Sequence, residues 1–288
     1  MERMAAQLID GKVLSASLYE KLAERAAKLA ALGVTPGLVV ILVGEDPASQ
    51  IYVRNKEKAC ARVGIASTVM RLPAETTQQE LEAHIKHFNE DENTDGILVQ
   101  VPLPGHLNEA AALSLIRPDK DVDGFHAMNM GKLFAGLDTL VACTPAGVME
   151  MIRSTDVSLS GKEAVVVGRS NNVGKPIALL LLQQNATVTV CHSRTKDLKV
   201  HTSRADILVA AVGRAKFITG DMVKPGAVVV DVGINRVDGK VVGDVDFDAA
   251  KEVAGYISPV PGGVGLMTVA MLMSNTLQIA ESRAGKKA

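Results

Sequence analysis

The sequence predicts an α/β protein of two domains, each built on a parallel sheet. Two observations carry that reading. Apolar strand-like runs alternate with helix-like segments in two separate stretches, Leu38 to Val101 and Ala164 to Val232. Between them the chain from Arg117 to Leu140 is loop-rich, and a boundary falls near 140–150. A third observation concerns the cores: the chain is 47% hydrophobic but only 3% aromatic, so they are aliphatic.

The elements follow in order. Ser17 to Leu32 has helical periodicity and is stopped by Gly33 and Pro36-Gly37. Leu38 to Val43 is a continuous apolar strand. Asp46-Pro47 then offers an N-cap followed by a proline in the first turn, predicting a helix that runs to Gly64. Ser67 to Leu72 is a strand, Thr77 to Asn89 a helix, and Gly96 to Val101 a third strand, ended by Pro102-Leu103-Pro104. Helices are expected at Asn108 to Ile116 and Ala146 to Thr155. Strands follow at 164–168, 187–191, 206–211 and 227–232, with a short one ending at Ile257. The last helix, Met267 to Ser282, is largely apolar and needs a partner surface, which the first domain can supply.

Composition excludes several classes. The net charge of −1 gives no field to attract nucleic acid or an acidic membrane. The opening residues are too few and too polar for a signal sequence, and no apolar run approaches the roughly 18 residues of a membrane span. Cys60, Cys143 and Cys191 are odd in number and widely spaced, which points to a reducing compartment, the cytoplasm. No P-loop and no Gly-x-Ser-x-Gly elbow is present. Asp119-Lys-Asp121-Val-Asp123-Gly124 opens like a calcium loop, but Met130 stands where the closing glutamate belongs. The six histidines form no metal constellation, and His84 and His87 read as a surface pair.

Four places could carry chemistry. The turn from Gly168 to Gly174 joins a strand to a helix, as in nucleotide-binding folds, where free amides and the helix dipole favour phosphate. Its spacing, Gly-x-Ser-x-x-x-Gly, is one residue longer than the usual dinucleotide fingerprint, so an ordinary βαβ turn stays open. The next strand ends in Cys191-His192-Ser193-Arg194. No acidic residue stands there to bond a ribose 2′-hydroxyl, whereas Ser193, Arg194 and Arg169 suit a 2′-phosphate. In the helix after Pro47, Tyr52, Lys56, Ala59 and Val63 share one face. Lys56 is the only charge on it, so its pKa is expected to fall if it is desolvated, although it could snorkel to water instead. Gln100 is a polar residue in an apolar strand, fit to orient a lysine or simply to be a satisfied core amide. Asp123, beside a glycine, could grip an amide-rich ring edge or be solvated.

Together these stretches resemble the bifunctional methylenetetrahydrofolate dehydrogenase/methenyltetrahydrofolate cyclohydrolase family over nearly the whole chain. The resemblance rests on Gly44-Glu-Asp-Pro-Ala-Ser49-x-x-Tyr52-Val-x-x-Lys56, Gly96-Ile-Leu-Val-Gln100-Val-Pro-Leu-Pro104 and Lys120-Asp-Val-Asp123-Gly-Phe-His126. It rests equally on Gly168-Arg-Ser-Asn-x-Val-Gly-Lys-Pro176, Asp231-Val-Gly-Ile-Asn235 and Pro259-Val-Pro-Gly-Gly-Val-Gly265. It implies a folate-binding catalytic domain over 1–145 plus the helix 267–288, and a Rossmann-type NADP-binding domain over 146–266. It further implies that Lys56 is the acid/base of the cyclohydrolase step, that Tyr52 stacks on the folate, that Gln100 tunes the lysine and that Asp123 holds the pterin. Val99, Pro102, Leu103, Pro261 and Gly262 would join the folate site. Thr144, Gly168, Arg169, Ser170, Ser193, Arg194, Ile234, Gly265 and Thr268 would hold NADP. Val101, Ala127, Ala142, Asn172 and Leu266 depart from the family's usual residues; Asn172 and Leu266 do so on the nicotinamide side. The implied function is NADP-dependent oxidation of 5,10-methylenetetrahydrofolate followed by hydrolysis to 10-formyltetrahydrofolate, in a homodimer. A dehydrogenase without the hydrolytic step, or a non-enzymatic nucleotide-binding regulator, stays open from the residues alone.

Overall fold

The computed structural model describes residues 5–287. The chain forms two compact units: one of Met1–Ser15 and Thr144–Thr268, the other of Ala16–Cys143 and Val269–Ala288. The first elements are β1 (Gln7–Leu8) and α1 (Gly11–Ala31). Asp10 starts α1 by accepting the amides of Lys12 and Val13, so the helix begins six residues earlier than its apolar periodicity suggests. Then come β2 (Gly37–Val43), α2 (Pro47–Val63), β3 (Ala66–Leu72), α3 (Gln78–Glu90), β4 (Gly96–Val99) and α4 (Glu109–Leu115). Asp46, Thr77 and Asn108 cap the three helices that follow them; the Thr77 cap is a full capping box with Glu80.

In this second unit the sheet is parallel, in the order β3-β2-β4. Every residue of central β2 is buried. Its alternate side chains serve two layers. Leu38, Val40 and Leu42 meet apolar residues of α1, α2 and the last helix, while Val39, Ile41 and Val43 meet those of α3 and α4. That double burial is why the strand reads as an unbroken apolar run.

The span expected to be loop contains α5 (Ala127–Phe134), a short amphipathic helix capped by His126 that buries Asn129 and Leu133 one turn apart. Next are α6 (Cys143–Arg153), β5 (Glu163–Val167), α7 (Gly174–Gln183), β6 (Thr187–Cys191), α8 (Leu198–Thr202) and β7 (Ile207–Ala210). They lead to β8 (Val228–Asp231), β9 (Asn235–Val237), β10 (Lys240–Val242), α9 (Phe247–Ala250), β11 (Tyr256–Ile257) and α10 (Val264–Lys287).

The first unit holds an all-parallel six-stranded sheet, ordered β1-β11-β8-β7-β5-β6. The start of the chain therefore adds an edge strand to the second sheet, rather than joining the residues that follow it as the 1–145 boundary supposed. The β9–β10 hairpin is also new; its Asp238-Gly239 turn, both residues at positive φ, is a signal that could have found it. From Val269 onward α10 belongs with the three-stranded unit, where Leu272, Met273, Leu277 and Ala280 complete the core. That matches the partner expected for an apolar last helix. No helix among the described residues is long and apolar enough to cross a membrane.

Candidate active site

In the three-stranded unit the site grows from α2 and the end of β4. Ala59 and Val63 are buried, whereas Tyr52 on the same stripe is 47% exposed. The stripe thus emerges from the core toward the start of α2, and Lys56 lies half-buried at the transition. Its Nζ does not run out to water but donates to Oε1 of Gln100 at 2.8 Å. Gln100 is well fixed: its backbone amide donates to Ile41 O and its Nε2 to Val101 O at 2.7 Å. Because Nε2 is committed to that carbonyl, the oxygen end must face the lysine. The strand stops at Val99, two residues short of expectation, since Pro102 has no amide to extend the ladder.

Asp123 completes the group electrostatically. Burial lowers the Lys56 pKa, and the Asp123 charge pulls it partly back. Burial pushes the Asp123 carboxyl up to about 6, against the opposing pull of Lys56. A lysine whose pKa is lowered by burial, beside a carboxyl raised to about 6, can move protons. Val99, paired beside Ile41 of β2, packs wholly into the core under α3 and α4, while Pro102 and Leu103 lie just beyond the strand end.

Sequence reasoning missed what holds the Asp123 loop. Asp121 accepts the His126 amide at 2.8 Å and Asn129 Nδ2 at 3.0 Å. From α10, Asn275 Nδ2 donates to Val122 O at 2.8 Å and Val141 O at 2.9 Å, and the Cys143 thiol donates to Val122 O. An asparagine just after the apolar run Val269–Met273 was the available signal. A separate groove of about 820 Å³ is lined by residues including Asn89, Arg117, Lys120, Asn129 and Arg283, but by none of Tyr52, Lys56, Gln100 or Asp123.

In the six-stranded unit, Gly168 turns the chain out of β5 at φ 136°, and a Cβ there would lie 2.2 Å from Ala211 O. A Cβ on Gly174 would lie 2.2 Å from Gly168 O, so both glycines serve close backbone packing. The helix start is less open than expected. Ser170 accepts the Gly174 amide with its hydroxyl and the Lys175 amide with its carbonyl, and Pro176 has no amide. Arg169, Ser170, Ser193 and Arg194 are all exposed at the carboxyl ends of neighbouring β5 and β6. The His192 ring accepts the Arg194 amide, and the Thr195 hydroxyl accepts the His192 amide, which shapes that turn. Thr268 donates to Val264 O, so Thr144 is the donor in their 3.0 Å hydroxyl pair. Ile234 is exposed, with the Gly265 position beside it. Pro261 and Gly262 lie in the segment before α10, and Asn172 and Leu266 are exposed.

Residues 9–123 match the family model for the tetrahydrofolate dehydrogenase/cyclohydrolase catalytic domain, and residues 142–284 match that family's NAD(P)-binding domain. The bifunctional protein FolD of Dechloromonas aromatica is 59% identical over 98% of this chain and all of its own. The chain belongs to the tetrahydrofolate dehydrogenase/cyclohydrolase family. Among solved members, the bifunctional FolD of Campylobacter jejuni is 49% identical, with a TM-score of 0.95 over 97% of this chain and 100% of that one. The FolD of Trypanosoma brucei, solved with NADP cofactor and inhibitor, is 41% identical, with a TM-score of 0.92 over 99% and 100%. The family's catalytic-domain model spans Tyr52, Lys56, Gln100 and Asp123. Its NAD(P)-binding model spans Thr144, the 168–174 turn, Ser193, Arg194 and Thr268.

Proposed function

We propose that this protein oxidises 5,10-methylenetetrahydrofolate with NADP and hydrolyses the methenyl product to 10-formyltetrahydrofolate. The observation that carries the hydrolytic half is the Lys56–Gln100 bond with Asp123 alongside. The turn residues fit the dinucleotide: Arg169, Ser193 and Arg194 form a cationic, hydroxyl-bearing rim where an acidic residue would repel a 2′-phosphate. NADP supplies the hydride acceptor. The chain's part in that step is placement, because hydride transfer needs aligned carbons more than an acid or base. Tyr52 offers an exposed ring face to the folate, and Asp123 a carboxyl to the pterin's nitrogen edge.

Hydrolysis does need proton movement. Water adds to the methenyl carbon while Nζ of the unprotonated form of Lys56, which burial favours, takes its proton. The same proton then passes to the ring nitrogen as its bond to that carbon breaks. The remaining hydroxyl proton leaves to solvent as the formyl group forms. Gln100 holds Nζ by accepting from it, without adding a charge that would raise the lysine pKa.

The decisive assay follows NADPH and methenyl absorbance together. The parent enzyme forms NADPH and consumes methenyl compound. Lys56→Ala accumulates methenyl compound, and normal hydration by that variant would overturn the assignment. A cytoplasmic homodimer accompanies this reading, and light scattering of the purified protein tests the dimer.

A further inference from the structure

In the six-stranded sheet the chain leaves β5 outward to β6 and then returns across to β7, so the winding reverses between β5 and β7. In open parallel sheets a ligand lies in the crevice that opens at the carboxyl ends of strands at such a reversal. One wall of that crevice is the 168–174 turn. The other is the loop 211–214 after β7, which stands against it: Ala211 N donates to Val167 O, and Ala211 O leaves no room for a Cβ at position 168.

The second wall is held from behind by one side chain. Asp244 is fully buried, and its Oδ2 accepts the amides of Val212 and Gly213. Its Oδ1 accepts the Arg214 amide at 2.9 Å and Asn235 Nδ2 at 2.9 Å. The carboxylate thereby ties the loop after β7 to the segment after β8 that carries Ile234. Asp231 backs it up. Its carboxylate accepts the amides of Gly233, Asp244 and Val245, each at 2.9 Å. The fit is reciprocal: a Cβ at Gly233 would lie 2.2 Å from Asp244 Oδ1, and one at Gly243 would lie 1.8 Å from Asp231 Oδ2. With the amides of 212–214 turned inward onto Asp244, this wall offers none of them to an anion. The diphosphate is left to the turn, and the second wall to the end of the dinucleotide remote from Ser193 and Arg194.

We propose that Asp244 is a positioning residue for the dinucleotide, holding the loops after β7 and β8 as a preformed wall for its nicotinamide end. The inference rests on the NADP reading above, and its test is separable from it. In Asp244→Asn, an amide NH2 faces donors, so at least one buried amide loses its acceptor. The expected result is an NADPH dissociation constant, titrated by fluorescence, raised about tenfold to hundredfold. The KM for NADP follows it. The preference for NADP over NAD stays as in the parent, because the 2′-phosphate rim is untouched. Hydrolysis of added methenyltetrahydrofolate without NADP stays at the parental rate. Unchanged NADPH affinity overturns the proposal, as does a proportional loss of hydrolysis, which marks general destabilisation. Asn235→Ala, which removes one of the four bonds, gives a smaller loss of the same kind. Hydrogen exchange on the parent is a check that needs no variant. The amides of 212–214 are protected before NADPH is added; fast exchange that slows only with NADPH means the wall is not preformed. A parent that binds NADPH without oxidising the folate would sink the proposed activity and leave this test intact.

Discussion

The two units solve the same electrostatic problem in opposite ways. In the three-stranded unit, Asp123 is set beside a lysine, and among the described residues no hydrogen bond engages its carboxylate. In the six-stranded unit, Asp231 and Asp244 are buried more deeply, at 3% and 0% exposure, yet backbone amides and Asn235 take up their oxygens instead of a cation. A carboxylate whose two oxygens are both engaged by backbone amides is a fixed strut. One that keeps its lone pairs and sits beside a lysine stays able to accept a ligand. The difference separates a group built for shape from a group built for chemistry.

The largest effect is expected from removing Asp231. Asp231→Ala strands three buried amides, and the expected loss is roughly 3 kcal/mol or more in a denaturant melt. Asp123→Asn should leave stability equal or improved, because it deletes a desolvated charge that nothing hydrogen-bonds. Equal losses in the two variants would erase the distinction. Next in size is Asn275→Leu, which cuts the ties from α10 to Val122 O and Val141 O. It should cost about 1–3 kcal/mol and raise the folate KM, leaving NADPH affinity unchanged.

The titration of Asp123 gives a smaller effect with a defined sign. Its carboxyl is raised from 3.8 to about 6 by burial. Between those values the native state keeps a proton that the unfolded chain releases, so stability falls as pH rises through that window and levels off above about 6. Asp231, also raised to about 6, contributes in the same direction, so Asp123→Asn should flatten part of the decline rather than all of it. The folate KM should rise as pH drops below about 6 and the Asp123 carboxylate is lost. Lys56→Met should move that transition upward by removing the cation that opposes protonation. Least affected should be Arg194→Ala. At an exposed rim, it is expected to weaken NADP about tenfold and NAD little. Equal loss for both cofactors would argue against a 2′-phosphate contact.

Much of the fold was legible because its information is local. The Asp46-Pro47 cap, the doubly buried β2 and the Gly168 turn are each specified by residues within a few positions of one another. Lys56 stood out because one charge broke an apolar stripe, and Gln100 because one amide broke an apolar strand. What stayed hidden depends on distant partners. The two-residue β1 has no pattern of its own and exists through pairing with β11, far along the chain. Helix α5 is two turns long, too short for periodicity to register. Asn275, Asp121 and Asp244 are ordinary polar residues whose importance lies in carbonyls and amides contributed by other segments. Motif reading favours side chains that would touch ligands over those that hold the loops carrying them.

The assignment of α10 has a consequence for synthesis. Leu272, Met273, Leu277 and Ala280 fill a core otherwise made by residues that precede position 144, and Arg283 forms a bidentate pair with buried Asp95. On the ribosome the part of this unit that ends at Cys143 therefore waits through more than a hundred intervening residues for its final helix. A nascent chain lacking the last turns of that helix would leave the core of Leu38, Val40 and Leu42 covered by α1 and α2 but incomplete.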